Sequence, residues 1–538
     1  MKDKKKWIYS ILCLFIFVVG VSFAYFVAQN GNGAVGNIDV ISNSLDDLKF
    51  SAGDPISLKI TQFNFTQGGG NLSDSTTATA SLKANNSTNK ASYTYNVYFA
   101  VDGNTYKYVT ISKNPEVILT IVDPNGNEVT EIDGLTYYDG TTTKGAKGFD
   151  ITDFDGLKTI ANNYTITSSS STVYTTQEWQ FKMTFVNYDF NQGEAYGGDA
   201  SGIYANIIIQ KGPLLTSIAD VCTNGDNLAN CITTLSQKSV SRAINIYYHD
   251  STLANGANDN SYRYAGPSEQ VNNFVCFGST TSPCPTDNLY RIIGVIDDKV
   301  KLIKYDYMTT DELGTNGDYL ETYKEKGLDS TYKGTYGDGE RIGVYHWNYK
   351  ADTEINNGRG SNTWSTSLFN KVNLNTNFIN YLGTTWANKI ATTTWKVGGN
   401  MLDNIANTIP SVAYQNEIVN PDATNSTDNA TEYQAKIGLM YVSDYGFAAS
   451  PSAWTRELYY YWQEDITSKN WMYMGFPEWT ISRWSNYSYS VFNVGSAGDL
   501  GNSLTVPSRY AGRASFNLVS SITYKSGLGT MSDPIIIN

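Results

Sequence analysis

Only two histidines, His249 and His346, occur in 538 residues. Imidazole acid–base chemistry and a His-rich zinc site therefore have little to draw on. His249 precedes Asp250, and Asp259 follows ten residues on, a spacing that could pair a base with an orienting carboxylate. No G-x-S-x-G elbow accompanies it and no cysteine follows Cys284, so a packed, structural histidine is expected there. His346, between Tyr345 and Trp347, reads as packed or edge-exposed on a strand. Glu478, Asp444 and Asp465 could meet as a glycosidase-type carboxylate pair, but 51 acidic residues supply such coincidences by chance. The run Asp123 to Asn127 lacks the glycine and glutamate of a calcium loop and reads as a plain turn. No catalytic residue, metal or cofactor is assigned.

Recognition chemistry is better represented. The stretch from Trp484 to Tyr510 holds no lysine, one arginine and one aspartate among many Ser, Asn and Tyr residues. Tyrosine gives large amphipathic contact area at low entropic cost, and Ser, Gly and Asn give adaptable hydrogen bonding, as in antibody loops. The ligand-binding candidates are Trp484, Asn486, Tyr487, Ser488, Tyr489, Phe492, Asn493, Asp499, Asn502, Ser503, Arg509 and Tyr510. Trp484, Tyr487 and Tyr489 would be the anchors. Most of the tryptophans, Trp347, Trp364, Trp386, Trp395, Trp471 and Trp479, are assigned to the core.

Five cysteines are present. Cys13 lies in an apolar run, while Cys222, Cys231, Cys276 and Cys284 form an even set that allows three connectivities. The simplest is local: Cys222 with Cys231 and Cys276 with Cys284, each closing a loop of about ten residues that stabilises by roughly 2–3 kcal/mol on the chain-entropy account. CxxC spacings that would favour metal are missing.

These residues need a compartment and a scaffold. Lysines at 2, 4, 5 and 6 precede an uncharged run from Trp7 to Ala28, which as a helix spans about 33 Å, enough for a bilayer. The positive-inside rule places the chain beyond this run outside the cell. Ser22-Phe23-Ala24 offers a signal-peptidase spacing, so anchor and cleaved signal both stand. Net charge −13 opposes nucleic acid as a partner, and 41% hydrophobic with 13% aromatic residues opposes disorder.

The predicted organisation is multidomain: a signal or transmembrane helix (1–29), a linker (30–37), an all-β sandwich (38–212), a disulfide-containing connecting region (213–287) and an α+β domain (288–538). Period-two alternation marks strands at Ile56 to Ile60, Tyr93 to Phe99 and Trp179 to Phe185, with turn signals between them, giving about seven to nine strands. Beyond Pro213 the texture changes, with nine of eleven tryptophans after residue 346. Apolar spacing from Leu368 to Leu382 predicts a helix or two with Ser365 as cap. Leu289 to Val295 and Val300 to Ile303 predict strands joined by an Asp297-Asp298 turn.

The segment GVSFAYFVAQ, the Trp179 strand and the strand Ile203 to Ile209 resemble the camelysin and biofilm-fibre group of Gram-positive bacteria, which implies a jelly-roll-like sandwich. Asn288 to Val295, Trp364 to Leu368, Glu478 to Arg483 and Gly512 to Leu518, in that order, resemble bacterial surface domains of the C-type-lectin-like and formylglycine-generating-enzyme fold. That resemblance, over most of 280 to 538, implies a compact core displaying long binding loops. It also implies that Glu478, Arg483 and Arg513 make buried polar contacts. The late cysteine pair with which the enzymatic relatives hold copper is missing, and the lectin calcium triads are absent too. The 484–510 stretch is similar in placement and composition to regions varied by diversity-generating retroelements.

The expected function is that of a bacterial cell-surface, adhesin-like protein, membrane-anchored through residues 7–28 or secreted, whose lectin-like domain binds an extracellular protein or glycan. A structural fibre subunit and a secreted glycan-active enzyme are the alternatives.

Overall fold

The structure is a computed structural model that describes residues 46–60, 66–86, 90–104, 106, 108–109, 112–192, 201–314, 328–329, 342–348, 360–401, 408–423, 425, 427–504, 508 and 510–538. The expected anchor and linker, 1–37, lie outside them. Among the described residues no helix is long and apolar enough to cross a membrane. The chain divides into two compact units: residues up to Thr216 with Gln237–Ala243, and Ser217–Ser236 with Ile244–Asn538.

The first unit is a β-sandwich. Its strands are β1 (Asp47–Ala52), β2 (Ile56–Ile60), β3 (Leu72–Lys83), β4 (Ala91–Asn104), β5 (Val117–Val122), β6 (Tyr137–Tyr138), β7 (Gly148–Asp150), β8 (Leu157–Ser168), β9 (Thr175–Phe185) and β10 (Ser201–Gln210). One sheet runs β1-β3-β9-β5-β7-β6 and the other β2-β10-β4-β8. The alternation that identifies β9 in sequence is the alternation observed: Trp179, Phe181, Met183 and Phe185 are buried while Gln180 and Lys182 face solvent. They meet Ile203, Ala205, Ile207 and Ile209 of β10 in one apolar core. Inside it Trp179 Nε1 donates to the Tyr95 hydroxyl (3.0 Å), which donates to Gln177 Oε1 (2.9 Å), so the aromatic polar atoms are buried with partners. Gly148 (φ +137°) packs β7 on β5 where a Cβ would lie 2.2 Å from the Leu119 carbonyl oxygen. The Asp123 turn is the plain turn expected, with Asp123 Oδ1 accepting from the N–H groups of Asn125 and Asn127.

The second unit begins with β11 (Ile246–His249), β12 (Ser261–Tyr264) and β13 (Phe274–Cys276), followed by β14 (Leu289–Ile296) and β15 (Lys299–Lys304). Residues 213–287 are thus not a separate connector. Their three strands join the central eight-stranded sheet because β12 and β13 both pair with β14. The β14–β15 hairpin turns at Asp297 and Asp298, both at positive φ (49° and 58°), the conformation that a two-residue hairpin turn requires. The pairs Leu328–Asp329 (β16) with Ile342–Gly343 (β17), and Thr393–Lys396 (β18) with Glu432–Ala435 (β20), form two small sheets. A third sheet of Gly399–Asn400 (β19), Glu478–Trp484 (β21), Ser490–Val494 (β22) and Leu500–Leu504 (β23) has that strand order. Ser515–Asn517 (β24), Tyr524–Ser526 (β25) and Ile535–Ile537 (β26) return to the large sheet, β26 parallel to β13.

The expected helix at 368–382 is a π-helical segment, Phe369–Phe378, running into helical residues Ile379–Ala387 that are broken by a kink at Gly383 (φ +72°). Its cap is Ser367, not Ser365: Ser367 Oγ accepts from the Asn370 N–H, whereas Ser365 lies inside a preceding 3-10 turn. Both local disulfides are present, Cys222–Cys231 and Cys276–Cys284, with Cα separations of 5.7 and 5.9 Å. They are consistent with an extracellular protein. Trp347, Trp364, Trp395, Trp471 and Trp479 are fully buried, and Trp386 is half-buried against Phe277.

Arg513 is buried opposite Glu478 through two parallel bonds, Nε–Oε2 (2.8 Å) and Nη2–Oε1 (2.7 Å). Removing one charge of such a pair strands the other, at a cost of about 3–5 kcal/mol. Glu478→Gln should lower the stability of the second unit by that amount, read by denaturant unfolding followed through tryptophan fluorescence; an unchanged midpoint would refute the pair's role.

Candidate functional site

The stretch enters at Trp484, the last residue of β21, and folds on through β22 and β23, three antiparallel strands joined by turns at 485–489 and 495–499. Gly399 of β19 packs so closely on β21 that a Cβ there would lie 1.6 Å from the Arg483 carbonyl oxygen. Every residue of β22 is buried, because the strand is paired on both edges and covered on both faces.

That packing divides the sequence candidates. Phe492 and Asn493 point into the unit, and Trp484 is only 8% exposed. Four of the accessible members lie at the 485–489 turn, Tyr487, 42% exposed, with half-buried Asn486, Ser488 and Tyr489, while Asp499 and Tyr510, also half-buried, lie away from it. Their rings form a chain of edge contacts, Trp484 to Tyr487 at 5.1 Å and Tyr487 to Tyr489 at 5.7 Å. Asp499 belongs to the other turn, at the far end of a five-residue strand, about 16 Å away by strand rise. Tyr510 lies edge-on to Trp479 (4.7 Å) and exchanges two backbone hydrogen bonds with Tyr345. Arg509 and the side chains of Asn502 and Ser503 lie outside the described residues.

The turn is held by residues that sequence reasoning missed. Asn362, fully buried, donates from Nδ2 to the carbonyls of Trp484 (3.2 Å), Tyr487 (2.6 Å) and Ser490 (2.7 Å). Its backbone N–H reaches the Ser488 carbonyl (2.7 Å). Asn429 Nδ2 in turn donates to Asn362 Oδ1 (2.6 Å) and to the Ser488 carbonyl (3.2 Å). No local signal marks either asparagine, since their partners lie 59 to 128 residues away. Beneath the turn Arg483 is buried with one acceptor, the Asn429 carbonyl at 3.3 Å, and its Nε and Nη1 have none. Burial draws its pKa down to about 10. Trp484 Nε1 and Asn486 Oδ1 are likewise buried without partners.

The groups suggestive of catalysis are engaged elsewhere. His249 is fully buried, accepts from the Ala257 N–H at Nδ1 (3.0 Å) and lies between Phe447 and Trp454. Burial holds its pKa well below the ordinary histidine value. Asp259, which might have oriented it, is tied to Arg263 (2.8 Å). His346 is buried with Nδ1 beside the Ser508 carbonyl (2.9 Å). Asp444 neutralises Lys301 (2.5 Å) and Arg263 (3.3 Å), Glu478 neutralises Arg513, and Asp465 is exposed, so these carboxylates do not converge as a pair. Among the described residues no group of His, Cys, Asp and Glu is placed to hold a metal ion.

Glu417 is fully buried, accepts from the Ser443 N–H (3.1 Å), and burial pushes its carboxyl up to about 7. The protonated form is therefore favoured in the folded chain. Its contribution is whole below about pH 4.5 and is lost as pH rises toward 7, by up to about 3 kcal/mol. Glu417→Gln should remove that slope, so the variant gains stability relative to the wild type between pH 4.5 and 7 in parallel denaturant titrations; parallel curves would contradict it. The chain matches no protein-family model, no curated protein and no solved structure.

Proposed function

We propose that this chain is an extracellular, surface-displayed ligand-binding protein of adhesin type, whose second unit, read as C-type-lectin-like, presents the 485–489 turn to a protein or glycan. The observation that carries this reading is an exposed tyrosine, Tyr487, on a turn whose backbone is clamped by the buried Asn362 amide. A clamped turn has already lost the freedom that binding would otherwise remove, so aromatic contact is converted to affinity at a smaller entropic cost. The two disulfides suit an oxidising compartment. In this reading residues 7–28 tether or export the protein, and any diversification would act on Asn486, Tyr487, Ser488 and Tyr489 rather than on buried Phe492 and Asn493.

The test is binding of the purified chain to a glycan array and to intact host and bacterial cells. Replacing Tyr487 and Tyr489 together by Ala should lower binding at least about tenfold with thermal unfolding unchanged. Asn362→Ala should lower both affinity and stability, by about 1–3 kcal/mol for the latter, because it removes one donor group shared by three carbonyls. Full binding by the double tyrosine variant would place recognition elsewhere.

A further inference from the structure

Lys299 and Lys301 are two residues apart on β15, so their side chains leave the same face of the strand. Both line a cavity of about 400 Å³ in the second unit, a volume within the range of small-molecule sites. Its floor is buried: Lys301, Tyr414, Tyr441 and Asp444 are each at most 5% exposed. Thr392 and Thr394 stand exposed at the mouth, and none of the 485–489 turn residues contributes.

The charges in this cavity are unequal. Arg263, Lys299, Lys301 and Lys396 line it with two carboxylates, Asp297 and Asp444, and Arg263 is also paired with Asp259 (2.8 Å), so the unanswered charge is that of Lys299. Asp444 is fully engaged: Oδ1 takes Arg263 Nη1 (3.3 Å), and Oδ2 takes both Lys301 Nζ (2.5 Å) and the Tyr441 N–H (3.0 Å). Lys396 is tied to Glu432 (2.5 Å). Lys301 therefore gives one of its three N–H groups to a carboxylate, while its ammonium lies over the rings of Tyr441 (4.6 Å) and Trp395 (5.6 Å). Lys299 has no ion-pair partner among the described residues. Burial lowers the pKa of Lys301, and a second anion beside it would offset that.

We propose that this cavity binds a small hydroxylated ring carrying a carboxylate, the chemistry of a single acidic sugar. The carboxylate meets the ammonium groups of Lys301 and Lys299, the ring lies along Tyr414 and Tyr441, and the threonine hydroxyls at the mouth meet the ring hydroxyls. This site is independent of the turn at 485–489.

The probes are glucuronate, glucose and benzoate, titrated calorimetrically into the full chain at low ionic strength. Glucuronate should bind, with an affinity that falls as salt rises, and glucose and benzoate should each bind at least about tenfold more weakly. Lys299→Gln should weaken glucuronate about fivefold, and Thr394→Trp, which fills the mouth from an exposed position, should abolish binding without changing the unfolding temperature. Absence of glucuronate binding, equal binding of either other probe, or unchanged affinity in both variants overturns the proposal.

Discussion

The second unit depends on burying cations and giving each of them acceptors. Arg263, Arg291, Arg513, Lys301 and Lys304 are each at most 4% exposed. Desolvating such groups costs several kcal/mol apiece unless acceptors are in place. The acceptors come from distant segments: Asp444 joins β12 and β15 to the helix Val442–Ala448, Glu478 joins β21 to the segment before β24, and Glu312 answers Lys304 (3.2 Å). Among the described residues no carboxylate lies within ion-pair distance of Arg291. It donates to Asn273 Oδ1 (2.6 Å), Ser268 Oγ (2.7 Å) and the Val271 carbonyl (2.9 Å) between the rings of Phe274 and Trp471, and burial draws its pKa to about 9. Partners fixed in this way oppose slip of one segment past another.

The same logic, with neutral groups, shapes the turn at 485–489. One amide, that of Asn362, donates to three carbonyls at and beside the turn. The backbone of the turn is thus held by a buried side chain from outside it, leaving the ring of Tyr487 exposed. Arg483 is the counter-example within the same sheet, a buried cation with two nitrogens lacking acceptors.

Much of the scaffold was legible because local rules govern it. The alternation of β9 reports the face of a sandwich strand, the Asp297-Asp298 pair tolerates the positive φ of a hairpin turn, and cysteines nine and eight residues apart close on each other. The exposure of the candidate stretch was legible only in part. An uncharged run of Ser, Asn and Tyr has the same composition whether it faces solvent or fills a fully paired strand, so Phe492, Asn493 and Trp484 could not be separated from Tyr487 and Tyr489 in advance. The strands at 246–276 escape a sequence reading because they are only three or four residues long, too short for an alternation to announce them.

By itself the amino-acid order determined the β-sandwich, the local disulfides, the poverty of histidine chemistry and the aromatic, uncharged character of one late stretch, because each is written in neighbouring residues. Tertiary structure alone decided which aromatics reach solvent, that Asn362 and Asn429 hold the turn, and that Lys299 and Lys301 share a cavity with Tyr414 and Asp444. Those outcomes rest on contacts across tens to hundreds of residues, and only the folded chain brings their partners within hydrogen-bonding distance.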